Sequence, residues 1–305
     1  MKKVLAYLLP TAAVGLVTGC SRSVEDVPPT VDGDLALRTV REVVELGPRL
    51  SNTEGAARAA RFLRNRAQEV GWKASVDTWT EQTDNGTMTF HNVRAVLPGR
   101  GDAFVLVGSH FDTKYLPDTT DFRGANDSGS STGLLLAMME QMAKAPPART
   151  VECLFFDGEE SRVAYTPNDG LHGSKRYAAK LADDKRAEHC LAMILLDMIG
   201  DRDLRVTFPP SSSPALVSRA FRVAQDQGTR RFFGTRLNGD ILDDHIPFRQ
   251  RGIDVINFID FQFGPGNAYW HTPEDTLDKL SAQSLEIVGN VALQLIYELA
   301  EDAER

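Results

Sequence analysis

Three cysteines in 305 residues are too few to build a disulfide framework. Positive charge is short as well. Lys and Arg number 34 against 42 Asp and Glu, for a net charge of −8, and no segment gathers the basic residues into a stripe. That argues against a nucleic-acid partner. No internal repeat or low-complexity tract breaks the chain. No apolar run reaches the ~20 residues of an ordinary membrane span. What remains is the composition of a globular protein, with length for one large α/β domain or two smaller ones.

The first residues do not read as fold. Met1-Lys2-Lys3 is a basic start, and Val4 to Val17 is an apolar stretch too short to span a bilayer. It ends in Val17-Thr18-Gly19-Cys20, which resembles a bacterial lipobox, with Cys20 the residue to be lipidated. Residues 1–19 are therefore expected to be a signal peptide. Residues 20–34, with Pro28-Pro29, are expected to be a lipidated cysteine and tether, and 35–305 a single catalytic domain. The expected location is that of an exported lipoprotein, anchored by Cys20 on the periplasmic side or the cell surface. Ser21 after Cys20 favours the outer membrane in the enterobacterial pattern. Cys153 and Cys190 fall in apparent strands and are expected to be buried thiols, though a bond between them stays open.

Beyond residue 34, apolar spacing predicts helices over about 35–46, 51–71, 131–143, 173–182, 213–225 and 281–300. Strands are expected at 72–79, 88–97, 104–108, 151–156, 191–196 and 255–259. Asp84-Asn85-Gly86 is a hairpin turn between the first two. Strands alternating with helices predict a three-layer αβα sandwich around a mixed, mostly parallel sheet.

The polar residues at the ends of these strands carry the chemistry. Val151–Phe156 ends in Asp157-Gly158-Glu159-Glu160, two adjacent carboxylates at the carboxyl edge, where open α/β sheets bind ligands. His110 and Asp112 follow the strand at 104–108, Asp127 opens the next helix, Asp197 ends another strand, and His271 lies on a late loop. Histidine with carboxylates is a zinc-type donor set. Two His and three carboxylates suffice for two metals with one carboxylate bridging. His91, His172 and His189 have no such context and are expected to be structural, and Trp72 and Trp79 to pack on the sheet.

Gly-Ser-His-Phe-Asp-Thr (108–113), Gly-Ala-Asn-Asp-Ser-Gly (124–129), Phe-Asp-Gly-Glu-Glu (156–160) and the late His resemble the M28 family of zinc aminopeptidases over residues 36–300. A narrower resemblance, to the glutaminyl-peptide cyclotransferases of animal type, rests on four more stretches. These are Pro167–Ser174, Leu196-Asp197-Met198-Ile199-Gly200, Asp243-Asp244-His245-Ile246-Pro247-Phe248 and Trp270-His271-Thr272. It implies a transferase that cyclises N-terminal Gln of peptides or proteins to pyroglutamate and releases ammonia. It implies one zinc on Asp127, Glu160 and His271, with Glu159 as acid/base. Asp197, Asp243 and Ser128 would belong to its hydrogen-bond network, and Trp270 would be the wall for the substrate side chain. Asp112 is expected to support His110, while His245 is open between orienting its neighbours and packing.

Other features lean toward a zinc aminopeptidase. His110 and Asp197 match the ligands of a second zinc in those enzymes, and Gly129 fits their pattern. Ser109 and Thr132 stand where the animal cyclases carry a cysteine pair, so that disulfide is absent. Where the cyclases place a histidine of their network, the sequence is read as offering Phe258. A catalytically silent binding domain on this fold is a third reading, but no expected ligand is missing.

Overall fold

The protein is described by a computed structural model covering residues 28–236 and 238–302. The expected signal peptide and Cys20 lie outside the described residues. Among the described residues no helix is long and apolar enough to cross a membrane.

Helix α1 (Gly33–Glu45) begins two residues earlier than its apolar spacing suggests. The Asp32 side chain accepts a hydrogen bond from Leu35 N and so caps the first turn. Thr53 caps α2 (Glu54–Glu69) in the same way. The hairpin of β1 (Lys73–Thr83) and β2 (Gly86–Leu97) turns over Asp84-Asn85, with Gly86 at φ +93°. Then follow β3 (Phe104–His110), α3 (Ser131–Lys144), β4 (Thr150–Phe156), α4 (His172–Asp183) and β5 (Cys190–Asp197). The last part holds β6 (Val206–Phe208), α5 (Pro214–Asp226), β7 (Phe233–Thr235), α6 (Ile246–Arg249), β8 (Val255–Ile259) and α7 (Ala282–Asp302).

The eight strands form one sheet in the order β1-β2-β4-β3-β5-β8-β6-β7. The central β4, β3, β5 and β8 run parallel, and antiparallel pairs, β2 with β4 and β6 with β8, begin the flanks. The architecture is the expected mixed, mostly parallel sandwich. Strand alternation divides its core. Val105, Val107, Ile194 and Phe258 face the layer of α1, α2, α3, α5 and α7. Phe104, Leu106, Met193, Leu195 and Val255 face α4 and α6. Burying each such side chain contributes on the order of 1.5–3 kcal/mol.

This alternation also places Phe258, read from the sequence as standing where the cyclases have a network histidine. Phe258 points into an aromatic cluster with Phe208 and Phe233 on the larger side of the sheet, so it stands in no polar network. Its neighbour Asn257 faces the other way. Trp72 and Trp79 pack against the sheet as expected, His172 stacks on Phe90, and Cys153 and Cys190 are buried free thiols. Pro28, the first described residue, shares a surface cavity with Arg100 and Ala148, which lie just before β3 and β4. The chain thus enters the domain at the amino edge of the sheet.

Candidate active site and metal centre

Register places the site. Gly108 of β3 pairs with Leu195 of β5, so two residues on His110 stands beside Asp197, and His110 Nε2 lies 3.3 Å from Asp197 Oδ1. After β4 the chain turns through Gly158 at φ +75°, a left-handed conformation that glycine adopts without strain. A Cβ there would also meet the Phe90 ring at 2.7 Å. The turn delivers Glu159 and Glu160, and their backbone N–H groups each donate to the Asp112 carboxylate at 3.2 Å. Asp112 therefore orients the two glutamates through the main chain. It also lies 3.4 Å from His110 Nδ1, which supports its expected role beside His110.

Asp127 sits in an irregular turn, Ala125–Ser130, and leaves helical dihedrals there (φ −104°, ψ 90°). Asp275, far along the chain, holds this turn by accepting from Asn126 N at 2.7 Å and Asp127 N at 3.1 Å. The Ser128 hydroxyl donates to the Asp112 carbonyl and so steadies the same turn, rather than reaching the glutamates.

Two donor groups converge here, Asp127–Glu160–His271 and His110–Asp127–Asp197, and they share Asp127. His271 Nε2 lies 3.0 Å from Glu160 Oε1 and 3.2 Å from Asp127 Oδ2, while His110 Nε2 is 3.1 Å from Asp127 Oδ1. Burial by itself would lower the pKa of His271, yet Glu160 and Asp127 raise it to about 9. His110 is likewise buried but is raised well above the ordinary value by Asp112, Asp127 and Asp197. Burial opposes ionisation of Asp127, and the two histidines more than offset it, holding its pKa below the usual range. The cluster thus attracts positive charge at the shared point between two carboxylates and an imidazole. That is the arrangement a divalent zinc-type ion requires.

Above it lies a pocket of about 250 Å³ whose walls include Glu159, Asp197, Asp243, Tyr165, Trp270 and His271. Burial pushes Glu159 well above its ordinary range, and also raises Asp197 to about 7 and Asp243 to about 6. A buried carboxyl raised toward neutrality is suited to exchanging protons. The Tyr165 hydroxyl donates to Glu159 Oε1 at 2.8 Å. Trp270 stacks on His271 with centroids 4.0 Å apart, and its Nε1 donates to Asp127 Oδ2 at 3.1 Å. Every residue singled out from the sequence as catalytic, substrate-binding or metal-ligating comes to this one place.

Some residues of the site were not singled out from the sequence. Asp275 acts on backbone N–H groups 148 residues away. Tyr165 lies in an irregular loop. Lys114 closes the His110-Phe111-Asp112-Thr113 stretch, where its proximity to the acids offered a clue. Its ammonium lies 3.2 Å from Glu160 Oε2 and donates to the Ser161 carbonyl at 2.6 Å. Lys114 therefore occupies one oxygen of Glu160 and leaves Oε1 facing His271. Lys114→Met is expected to weaken zinc retention by about ten-fold or more, in line with residues that orient metal ligands. A chelator competition reads this directly, and unchanged affinity would remove Lys114 from the site.

The sequence and the fold have counterparts in known proteins. Glutaminyl-peptide cyclotransferase of Bos taurus is 26% identical over 289 residues, covering 82% of this chain and 78% of the bovine one. The crystal structure of a glutaminyl cyclase from an Acidobacteriales bacterium superposes with a TM-score of 0.86 at 30% identity, over 93% of this chain and all of that one. A Zn-dependent exopeptidase from Parabacteroides distasonis shares the fold, with a TM-score of 0.80 at 24% identity over 89% of this chain and 99% of its own. The profile of Peptidase family M28 matches residues 92–296, which span β2 to α7 and with them the whole of the acid- and histidine-lined edge, so the chain belongs to that family.

Proposed function

We propose that the protein is a zinc-dependent glutaminyl-peptide cyclotransferase acting on N-terminal Gln. The observation that carries this reading over hydrolysis is the joint placement of Asp243 and Trp270 in one pocket with Glu159 and His271. The length-wide similarity to glutaminyl cyclases supports it.

Asp127, Glu160 and His271 would hold the zinc. Bound there, it would supply electrophilic polarisation of the substrate's side-chain amide. The peptide's own α-amine attacks the side-chain carboxamide carbon. Because the nucleophile is intramolecular, much of the entropy cost of bringing reactants together is avoided. Glu159 takes a proton from the attacking nitrogen and returns it to the departing one, so ammonia leaves and a five-membered lactam remains. Tyr165 holds the Glu159 carboxylate by its hydroxyl. Asp197 and Asp243 are assigned to hold protons and orient groups around it. Trp270 forms a flat wall that shields the amide from water.

The proposal includes a single zinc, with His110 as an N–H donor between Asp127 and Asp197. The second donor group, His110–Asp127–Asp197, supports the alternative of a two-zinc aminopeptidase. Lipidation at Cys20 and export are proposed as well, from the basic start, the apolar run and the Gly19-Cys20 pair.

The test incubates the purified protein with Gln-initiated and with Leu- or Ala-initiated peptides, with and without a zinc chelator. Mass spectrometry is expected to find loss of one ammonia from the Gln peptide alone, abolished by chelation. Release of free amino acids instead would replace the cyclase by the aminopeptidase.

A further inference from the structure

We propose that Arg236 selects among Gln-initiated peptides, by pairing with a carboxylate that the peptide carries beyond its N-terminal residue. The inference rests on the cyclase reading above and names the class of peptide that the pocket takes best.

Arg236 follows directly on β7. Its backbone N–H donates to the Phe208 carbonyl at 2.9 Å, so the pairing of β6 with β7 carries on past the strand and fixes where the side chain starts. Arg236 lines the pocket, and among the described residues that do so it is the only Arg or Lys. Its guanidinium lies over the Phe261 ring, 5.2 Å from the centroid. Phe261 in turn packs on Trp270 with centroids 4.9 Å apart, and Trp270 stacks on His271. A row of rings thus leads from the proposed metal ligand His271 out to Arg236. The side-chain amide of the N-terminal Gln belongs at the inner end of that row. An extended chain advances about 3.3–3.6 Å per residue, so the outer end is level with the second or third residue of the peptide.

The charge on Arg236 has no counterpart among the described residues. Its Nε is a buried donor without an acceptor, and no carboxylate pairs with the guanidinium. Buried donors are as a rule hydrogen-bonded, and a ligand that brought an acceptor would remove this exception. The nearby acids are turned elsewhere. Asp240 accepts from the N–H and the hydroxyl of Ser211 and from Ile241 N, and Glu159 accepts from Tyr165. Ile241, Leu242 and Ile259 make the wall beside Arg236 apolar and bring no competing side-chain donor. Phe261 supports the cation without occupying a donor, since the N–H groups of a guanidinium lie in its own plane. That planar fork matches a carboxylate. An acidic side chain at the second or third residue and the free C-terminus of a dipeptide present the same group.

The experiment measures kcat/KM on the zinc-loaded protein for peptide pairs that differ only in a carboxylate. The pairs are amidated Gln-Glu-Ala-Ala against Gln-Gln-Ala-Ala, amidated Gln-Ala-Glu-Ala against Gln-Ala-Gln-Ala, and Gln-Ala free acid against Gln-Ala amide. In the wild type the carboxylate member of at least one pair is expected to be favoured by about ten-fold, mostly through KM, the scale of one charge-assisted hydrogen bond. The pair that shows the preference identifies the source of the carboxylate. Arg236→Gln is expected to bring that ratio to unity and Arg236→Glu to invert it. Arg236→Lys, which keeps the charge and loses the fork, should fall between wild type and Arg236→Gln. Both members of a pair meet the same variant, so a loss of fold or metal lowers both rates and leaves the ratio. A wild-type ratio at or below unity in every pair would overturn the proposal, whether or not the variants fold. So would a preference that survives in Arg236→Gln. If the wild type turns over no Gln peptide, the cyclase reading falls. Calorimetric Kd values for the same pairs then decide Arg236, a preference lost in Arg236→Gln supporting it and equal affinities in the wild type refuting it.

Discussion

Glu159→Gln is expected to keep its zinc and its fold and to lose about 10²–10⁴-fold in kcat, the usual range for removing a general acid/base. The amide has the size of the carboxylate it replaces, and Tyr165 still finds an oxygen to donate to. The neighbouring Glu160 keeps its place because Asp112 grips the backbone rather than the Glu159 side chain. What is lost is the capacity to take a proton from the α-amine and pass it to the leaving nitrogen. The measurement is kcat on a Gln-initiated peptide alongside zinc per chain by elemental analysis. Near-normal turnover with zinc still bound would assign the proton transfer elsewhere, with Asp243 the next candidate in the pocket.

Removing the metal is expected to abolish activity altogether, and its removal should depend on pH in a defined direction. In the metal-free protein His271 is held protonated up to about pH 9 by Glu160 and Asp127, against the opposing effect of burial. A zinc ion on the same three residues must displace that proton. Apparent zinc affinity should therefore fall by about ten-fold for each pH unit below about 9. The stability of the metal-free protein follows the same group. A histidine with a raised pKa stabilises the fold fully below its unfolded pKa of about 6.5 and loses that contribution as pH rises through about 9. The metal-free protein should thus lose thermal stability across this window, while the zinc-loaded protein should not. A competition titration against a chelator of known proton linkage tests the first part, and melting with and without zinc tests the second. A zinc affinity that is flat with pH would mean that His271 is not a ligand.

The sheet centre and the site were legible because one regularity carried both. β3, β4 and β5 are mostly apolar, β4 being interrupted by Glu152, and each leads into polar residues at the same edge, so His110, Glu159, Glu160 and Asp197 announced themselves together. The short strands β6 and β7 were not legible, since three residues are too few to display an alternation. Asp275 was missed for a different reason. Its work is done on backbone N–H groups, and nothing in the residues around a main-chain donor marks which distant carboxylate will accept from it. Asn257 was within reach, for strand alternation puts it and Phe258 on opposite faces. Phe258, read as standing where the cyclases place a network histidine, is apolar and faces the other side of the sheet, while its neighbour Asn257 is the residue of this strand that meets Asp243.

Pro28 lies at the amino edge of the sheet, near Arg100 and Ala148. The acids and histidines of the site are at the carboxyl edge, a full strand length away. With the anchor proposed at Cys20, the amino edge would be the edge nearer the anchoring layer, and the pocket would be on the farther edge, open to peptides arriving from solution.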